Sequence, residues 1–260
     1  MTIHHEVRGD GPPVLLLHAG IADSRMWASL SARLVEAGYR TIAPDLRGFG
    51  RTPLEPGIVS NAADLVALLD ELGVDGAAVV GASFGGQVAL ELALRAPERV
   101  RALALLDAGL DEYDASDERE AFDAEEEAAI ERGDLDAAVQ ANVRMWVTRG
   151  GREVDPAVVD LVATMQRDAF EAQLGVDADV EPNDPPVAER LGEIAAPALV
   201  VVGADDVEDV HRIGERLAAE LPAAEPLVAI DGAAHLPALE RPDDVAAVLV
   251  PFLARHAPTA

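Results

Sequence analysis

Ser83 lies in the pentapeptide Gly81-Ala82-Ser83-Phe84-Gly85, which follows an apolar run and precedes a helix-like stretch. A strand that turns sharply into a helix through G-x-S-x-G would hold the serine Oγ clear of the backbone, where it could attack a carbonyl carbon. Glycine suits both flanking positions because a side chain would clash where the chain reverses. The pattern predicts a nucleophilic serine, although a Gly-rich turn without chemistry has the same sequence signature.

A serine nucleophile needs a base to take its proton and an acid to orient that base. His235 is the candidate base, because among the six histidines it alone lies in a Gly-rich loop after a predicted strand, Leu227 to Ile230. The histidines do not have the spacing of a metal site, and no H-E-x-x-H motif occurs, so we expect no metal.

Three aspartates are candidates for the acid. Asp205, Asp206 and Asp209 all lie near the end of the apolar run from residue 198 to residue 202. This run is a predicted strand, and the loops after strands form the edge where α/β sheets bind their ligands. Asp209 also fits a helix N-cap. The residues alone leave the choice among the three open.

Composition excludes several kinds of chemistry. The 260 residues contain no cysteine, and all 20 basic Lys and Arg residues are arginine. Disulfides, thiolate metal sites, a cysteine nucleophile and Schiff-base lysine chemistry are therefore excluded. The net charge of −28 predicts repulsion from nucleic acid and from anionic membranes. The first residues lack a signal-peptide pattern and no apolar run reaches 18 residues, so we expect a cytoplasmic protein.

The elements that would position these side chains alternate along the chain. Short apolar strands and helices alternate up to residue 106, which predicts a parallel sheet covered by helices on both faces. Residues 3–11 suggest an N-terminal hairpin. From Asp111 to about Leu191 the alternation stops, and three helical patterns follow, at 118–132, 135–148 and 156–174, with an Asp- and Pro-rich linker at 177–186. We therefore predict core segments at 1–110 and 192–260, separated by a helical cap at 111–191.

Three further motifs accompany the elbow: Leu17-His18-Ala19-Gly20, Pro44-Asp-Leu-Arg-Gly-Phe-Gly50 and Gly232-Ala-Ala-His235. In this order, and over nearly the whole chain, they resemble the α/β-hydrolase fold family. The likeness is to its cofactor-free serine esterase and lactonase branch, which includes 3-oxoadipate enol-lactonase. Ala19 is a departure, since the family usually has glycine there.

The resemblance implies a mostly parallel, eight-stranded sheet with a helical lid, and no cofactor. It implies a catalytic triad in the chain order Ser83, Asp206, His235, because the family register Gly-x-x-Asp selects Asp206. Asp107, at the end of the preceding strand, is the family's alternative position for the acid. The oxyanion hole would consist of two backbone N–H groups, those of Phe84 and Gly20.

The pocket and the substrate are less defined by sequence. Scarce large side chains are expected near the pocket, and each fits core packing as well: Ile21, Trp27, Met145, Trp146, Met165 and Phe170. The predicted function is hydrolysis of a small carboxylic ester or lactone, by a monomer or homodimer. Alternatives are a hydrolase of carbon–carbon bonds in a vinylogous diketone and a ligand receptor on the same scaffold. Epoxide and haloalkane hydrolases are disfavoured because they need aspartate in place of Ser83.

Overall fold

The computed structural model describes residues 3–111 and 113–257. Within these ranges, strands and helices alternate along the chain. The elements are, in order, β1 (His5–Arg8), β2 (Pro13–Leu17), α1 (Ala28–Glu36), β3 (Arg40–Pro44), β4 (Gly57–Val59), α2 (Asn61–Glu71), β5 (Ala77–Ala82), α3 (Phe84–Arg95), β6 (Val100–Leu106), α4 (Asp117–Glu131), α5 (Leu135–Asn142), α6 (Pro156–Gln173), β7 (Ala178–Val180), β8 (Ala198–Gly203), α7 (Glu208–Glu220), β9 (Val228–Ile230), α8 (Pro237–Glu240) and α9 (Pro242–His256).

The main sheet has the strand order β1-β3-β2-β5-β6-β8-β9. Only the pairing of β1 with β3 is antiparallel, and the other neighbours are parallel. The mostly parallel sheet is confirmed, with seven strands among the described residues where eight were expected. The predicted N-terminal hairpin is wrong, because β1 pairs with β3 and not with β2. The connection from β1 to β2 runs tightly against the turn before β3: a Cβ on Gly11 would lie 1.8 Å from the Gly38 oxygen.

Helices cover the sheet on both faces, as expected. Successive side chains of β2 enter two different apolar clusters, Val14 and Leu16 in one and Leu15 and Leu17 in the other. Helices α1 and α9 contribute to the first cluster, and α2 and α3 to the second. Strands β5 and β8 are buried along their whole length, which explains their uninterrupted apolar sequences. These two strands lead directly to Ser83 and Asp206.

Helices α4, α5 and α6 lie between β6 and β8, where the sequence indicated a helical cap. The insertion is not entirely helical, however: the predicted linker contains β7, which pairs in parallel with β4 as a second, two-stranded sheet. Both strands have three residues and most of those residues are solvent-accessible, so neither carries an apolar signal in the sequence. The boundaries 1–110, 111–191 and 192–260 remain a prediction. Among the described residues no helix is long and apolar enough to cross a bilayer.

Candidate active site

Ser83 connects β5 to α3 with a backbone φ of 49°, in the left-handed region that residues other than glycine rarely adopt. The two glycines of the motif make this turn possible. A Cβ on Gly81 would lie 2.3 Å from the Gly85 oxygen, and one on Gly85 would lie 2.2 Å from the Leu17 oxygen. Because neither position has room for a side chain, the turn holds Ser83 at the carboxyl end of the sheet.

A hydrogen-bonded chain joins Ser83 to two side chains from distant loops. His235 Nε2 lies 2.8 Å from Ser83 Oγ, and His235 Nδ1 lies 2.7 Å from Asp206 Oδ2. His235 and Asp206 are both buried. A neutral imidazole that donates from Nδ1 to the carboxylate leaves Nε2 to accept the serine proton, and this tautomer is assigned from the network. The arrangement has the geometry of a Ser-His-Asp triad.

Asp206 and its neighbour Asp205 lie in very different environments. The Asp206 carboxylate accepts a hydrogen bond from the Val207 N–H at 2.8 Å through Oδ1, which leaves Oδ2 directed at His235. The Asp205 side chain is half exposed, and its nearest cation is the Arg152 guanidinium at 3.6 Å. Of these adjacent carboxylates, only Asp206 reaches the imidazole.

Asp209, the third candidate acid, has a structural partner elsewhere. It lies within the first turn of α7 and accepts hydrogen bonds from the backbone N–H and the hydroxyl of Ser116, the N-cap residue of α4. The sequence position of Asp209 suggested that it caps its own helix, α7, but it does not. It fixes the start of the helical insertion beside the site.

Asp107, the alternative acid, lies at the end of β6 with a φ of 44° and is fully buried. Its Oδ1 accepts the Gly203 N–H at 2.8 Å, and its Oδ2 has no hydrogen-bond partner among the described residues. Burial raises the pKa of Asp107 well above its usual range, and the nearby charge of Asp206 raises it further. Among the described residues Asp107 makes no hydrogen bond to His235, whose Nδ1 is bonded to Asp206 instead.

Gly20 and Phe84, the two residues expected to supply oxyanion donors, lie close together. A Cβ on Gly20 would be 3.5 Å from the Phe84 Cβ, so the loop after β2 approaches the elbow closely. Neither the Gly20 N–H nor the Phe84 N–H donates a hydrogen bond to a described group. Phe84 is the first residue of α3, where N–H groups have no partner within the helix. Both N–H groups thus have no acceptor among the described residues, as the donors of an oxyanion hole require.

His18 stabilises the loop that carries Gly20. Its Nε2 accepts the Leu46 N–H at 2.9 Å, and its Nδ1 lies 2.9 Å from the Ala19 carbonyl, to which it donates. Burial lowers the pKa of His18, so the ring is neutral in this role. Ala19, the departure from the family pattern, is fully buried in the same loop.

Two side chains of the loop after β3 hold it in place by separate contacts. Arg47 forms two hydrogen bonds of 2.6 Å with Asp64, while Asp45 accepts the backbone N–H groups of Ser24 and Arg51 at 2.9 Å each. The aspartate holds two loops together, and the arginine binds α2.

A cavity of about 200 Å³ opens beside Ser83 and His235. Of the six expected pocket residues, only Trp146 lines it. The other five do not, and they lie in or against the apolar core: Ile21, Trp27, Met145, Met165 and Phe170. Met145, Met165 and Phe170 belong to the insertion and Ile21 and Trp27 to the segment after β2, and all five pack with the same apolar cluster of the core.

The remaining wall of the cavity comes from residues that no sequence motif indicated: Gln87, Ala108, Gly109, Leu110, Tyr113, Arg119, Val210 and Ile213. Gln87 follows Ser83 by one helical turn, so the elbow motif could have identified it. The others had no sequence signal, because their position depends on how α4 and α7 pack over the sheet.

Trp146 contacts His235 directly. Its ring centroid lies 4.2 Å from that of His235 and 5.4 Å from that of Phe122 in α4, which it meets edge-on. The Arg119 guanidinium lies 5.1 Å above the same indole. The residue belongs to a π-helical turn, Val143–Val147, a deviation that often occurs at functional sites.

Comparison with known proteins supports the same architecture. A family model described as alpha/beta hydrolase fold matches residues 12–242, which include Ser83, Asp206 and His235. A thermophilic esterase from Thermogutta terrifontis, solved with malate bound, superposes with a TM-score of 0.79 and 27% identity, covering 98% of this chain and 94% of that one. Est816, titled an N-acyl homoserine lactone degrading enzyme, gives a TM-score of 0.75 and 27% identity over 96% of both chains.

A shorter match joins the chain to "Epoxide hydrolase 2" of Siraitia grosvenorii, at 41% identity over 111 residues. It covers 41% of this chain and 35% of that protein. The present chain therefore spans about a third of the length of this curated relative.

Proposed function

Because this chain belongs to the α/β-hydrolase fold family, we propose that it is a serine hydrolase of small carboxylic esters or lactones. The observation that carries the proposal is the chain of hydrogen bonds Ser83–His235–Asp206, in which both contacts of the imidazole are shorter than 3 Å. Side chains that are 152 and 29 residues apart in sequence meet only through the fold. Proton transfer from the serine to the imidazole is the chemistry that this geometry favours.

The proposed reaction proceeds through an acyl-enzyme. Ser83 Oγ attacks the carbonyl carbon while His235 Nε2 takes its proton, and Asp206 stabilises the imidazolium that forms. The Phe84 and Gly20 N–H groups hold the oxyanion. His235 then returns the proton to the leaving oxygen as the ester bond breaks. Water then attacks the acyl carbon while His235 takes its proton, and His235 returns that proton to Ser83 Oγ as the acyl–oxygen bond breaks, which releases the acid and free Ser83.

The cavity favours small substrates. Its volume of about 200 Å³ lies below the range of about 300–1,000 Å³ typical of sites for drug-sized ligands. Its apolar wall includes Leu110, Trp146, Val210 and Ile213. An acyl group of a few carbons fits this combination of size and polarity better than a long lipid chain does.

The similar proteins support an ester or lactone substrate in preference to an epoxide. The two solved structures are titled an esterase and a lactone-degrading enzyme, and each matches over more than 90% of its length. The epoxide hydrolase match is partial. Epoxide hydrolases of this fold need an aspartate nucleophile, as the resemblance implies, and Ser83 stands at that position.

A substrate series tests the proposal. We expect measurable kcat/KM for p-nitrophenyl acetate and butyrate, with a decline toward octanoate and longer esters, together with hydrolysis of simple lactones. Product analysis on a vinylogous 1,5-diketone separates ester hydrolysis from carbon–carbon cleavage. Failure to hydrolyse any ester or lactone in the series, with the protein folded, would contradict the proposal.

A further inference from the structure

Glu240, the last residue of α8, holds the loop that carries His235. Its Oε1 accepts the N–H of Ala234 at 3.1 Å and the N–H of Leu236 at 3.3 Å. These two residues flank His235 on either side. One carboxylate oxygen, on a side chain that is 4% exposed, therefore binds the peptide groups before and after the imidazole.

The second oxygen of Glu240 binds Arg152, which comes from the helical insertion. Arg152 Nη1 donates to Glu240 Oε2 and to the Val147 carbonyl. Its Nη2 donates at 2.8 Å to the carbonyl of Gly232, at the start of the same loop. The Arg152 side chain is 15% exposed, so the pair is largely removed from solvent. Arg152 thus connects the loop of His235 to the turn that carries Trp146.

Other hydrogen bonds also hold the loop, from Arg241 Nε to the Gly232 carbonyl at 3.2 Å and from the Asp205 N–H to the Ala233 carbonyl at 2.9 Å, and neither adjoins His235. Between β9 and α8 the loop contains Gly232, Ala233 and Ala234, whose side chains offer no hydrogen bonds. Gly232 has a φ of 68°, a conformation that glycine adopts readily and that gives little rigidity by itself. Charge-assisted hydrogen bonds to a buried carboxylate restrict such a loop more strongly than neutral ones.

We propose that Glu240 and Arg152 are positioning residues for His235: together they hold the imidazole within reach of Ser83 and couple its position to the helical insertion. The inference rests on the proposed function, because it assigns His235 the role of the base. Removing one partner of a buried ion pair leaves the other charge uncompensated, so each single variant should also lower the melting temperature. The positioning role is therefore tested on folded protein, by kcat and by the resonance of the imidazole, which a loss of stability alone would not change.

The test compares Arg152→Met, Arg152→Lys and Glu240→Gln with wild type. Arg152→Met keeps the aliphatic stem but removes every donor, and Glu240→Gln places an amide N–H against the guanidinium. Arg144→Met is the matched control, because Arg144 pairs with Glu125 on the exposed side of the insertion. The measurements are kcat and KM on one ester, the melting temperature, and the low-field proton resonance of the His235–Asp206 hydrogen bond.

We expect kcat to fall by about 10- to 100-fold in Arg152→Met and Glu240→Gln, the loss typical of a small misplacement of a catalytic group, with KM changed less than threefold. The low-field resonance should shift or broaden in both variants. Arg152→Lys, which keeps the charge, should recover part of kcat. Because the two residues share one interaction, the double variant should lose less than the product of the single losses. Arg144→Met should behave as wild type.

Folded Arg152→Met protein with wild-type kcat and an unchanged resonance would overturn the inference. Should that variant not fold, Arg152→Lys decides by the same readouts, and wild-type values there would equally overturn it. Ser83→Ala is run in the same assay. If it retains activity, the proposed function fails; if it is inactive while the Arg152 and Glu240 variants match wild type, only the positioning role fails.

Discussion

The indole of Trp146 packs against the imidazole of His235, with ring centroids 4.2 Å apart and ring planes inclined at 34°. The helical insertion thus contacts His235 and also lines the cavity. Trp146 is buried in the core cluster and also lines the cavity. The sequence allowed two interpretations of Trp146, core packing and pocket lining. Both describe it.

Replacing Trp146 by Ala should change the ranking of substrates. The indole forms part of the cavity wall, and each lost apolar contact should alter discrimination by about 1–3 kcal/mol. The measurement is kcat/KM across the ester series. Trp27→Ala is the control: Trp27 is 1% exposed and does not line the cavity, so it should lose about 3–5 kcal/mol of stability with the ranking kept. Equal loss on all substrates in Trp146→Ala, with a collapsed melting temperature, would show a purely structural role.

Asp206→Asn should lower kcat by about 10³- to 10⁴-fold, because the carboxamide no longer fixes the tautomer that donates from His235 Nδ1. Asp205→Asn is the neighbouring control and should cost less than about tenfold, since the Asp205 side chain is half exposed and makes no contact with His235. Steady-state kinetics on one ester decide the matter, and the reverse ranking would move the acid by one residue.

Relative to wild type, Asp107→Asn should have a free energy of unfolding that increases as pH rises. Burial raises the pKa of Asp107, so the folded protein holds this proton to a higher pH than the unfolded chain, which loses it near about pH 4. The stability that this proton contributes is complete below that pH and is lost as pH rises toward the folded pKa. The neutral amide avoids the loss, and asparagine tolerates the positive φ.

Urea unfolding of both proteins from pH 4 to pH 8 measures this effect. The advantage of the variant should grow by up to about 1.4 kcal/mol per pH unit. Activity should stay within about tenfold of wild type, because Asp107 does not contact His235. A difference in stability that is constant with pH would show that Asp107 is ionised in the folded protein, and a loss of activity near 10³-fold would make it the acid.

The sequence predicted the elements whose signal is local. Strands β5 and β8 are buried on both faces and therefore appear as continuous apolar runs, and β6 is buried at every position except Arg101. Ser83 follows β5 and Asp206 follows β8, so the sequence could place both side chains at the carboxyl edge of the sheet. Strands β4 and β7 have three residues each, with no apolar run, and could not be recognised.

What depends on packing between distant segments could not be predicted. β1 pairs with β3 and not with β2, and the residues between β1 and β2 pass closely against the turn before β3, an arrangement with no signature in sequence. Large side chains were expected to line the cavity. Arg119 and Tyr113 line it instead because of where α4 and the segment before it lie. The contact of Arg152 with Glu240 joins residues 88 positions apart.

The central claim is that Ser83 is the nucleophile, and phosphonate labelling of wild type and Ser83→Ala tests it most directly. A serine-directed phosphonate should add its mass to the peptide that contains Ser83 and abolish activity. Ser83→Ala should take up no label and lose about 10⁴- to 10⁶-fold in kcat, with circular dichroism and melting temperature near those of wild type. Ester hydrolysis at the wild-type rate by folded Ser83→Ala, or a label on another residue, would contradict the account.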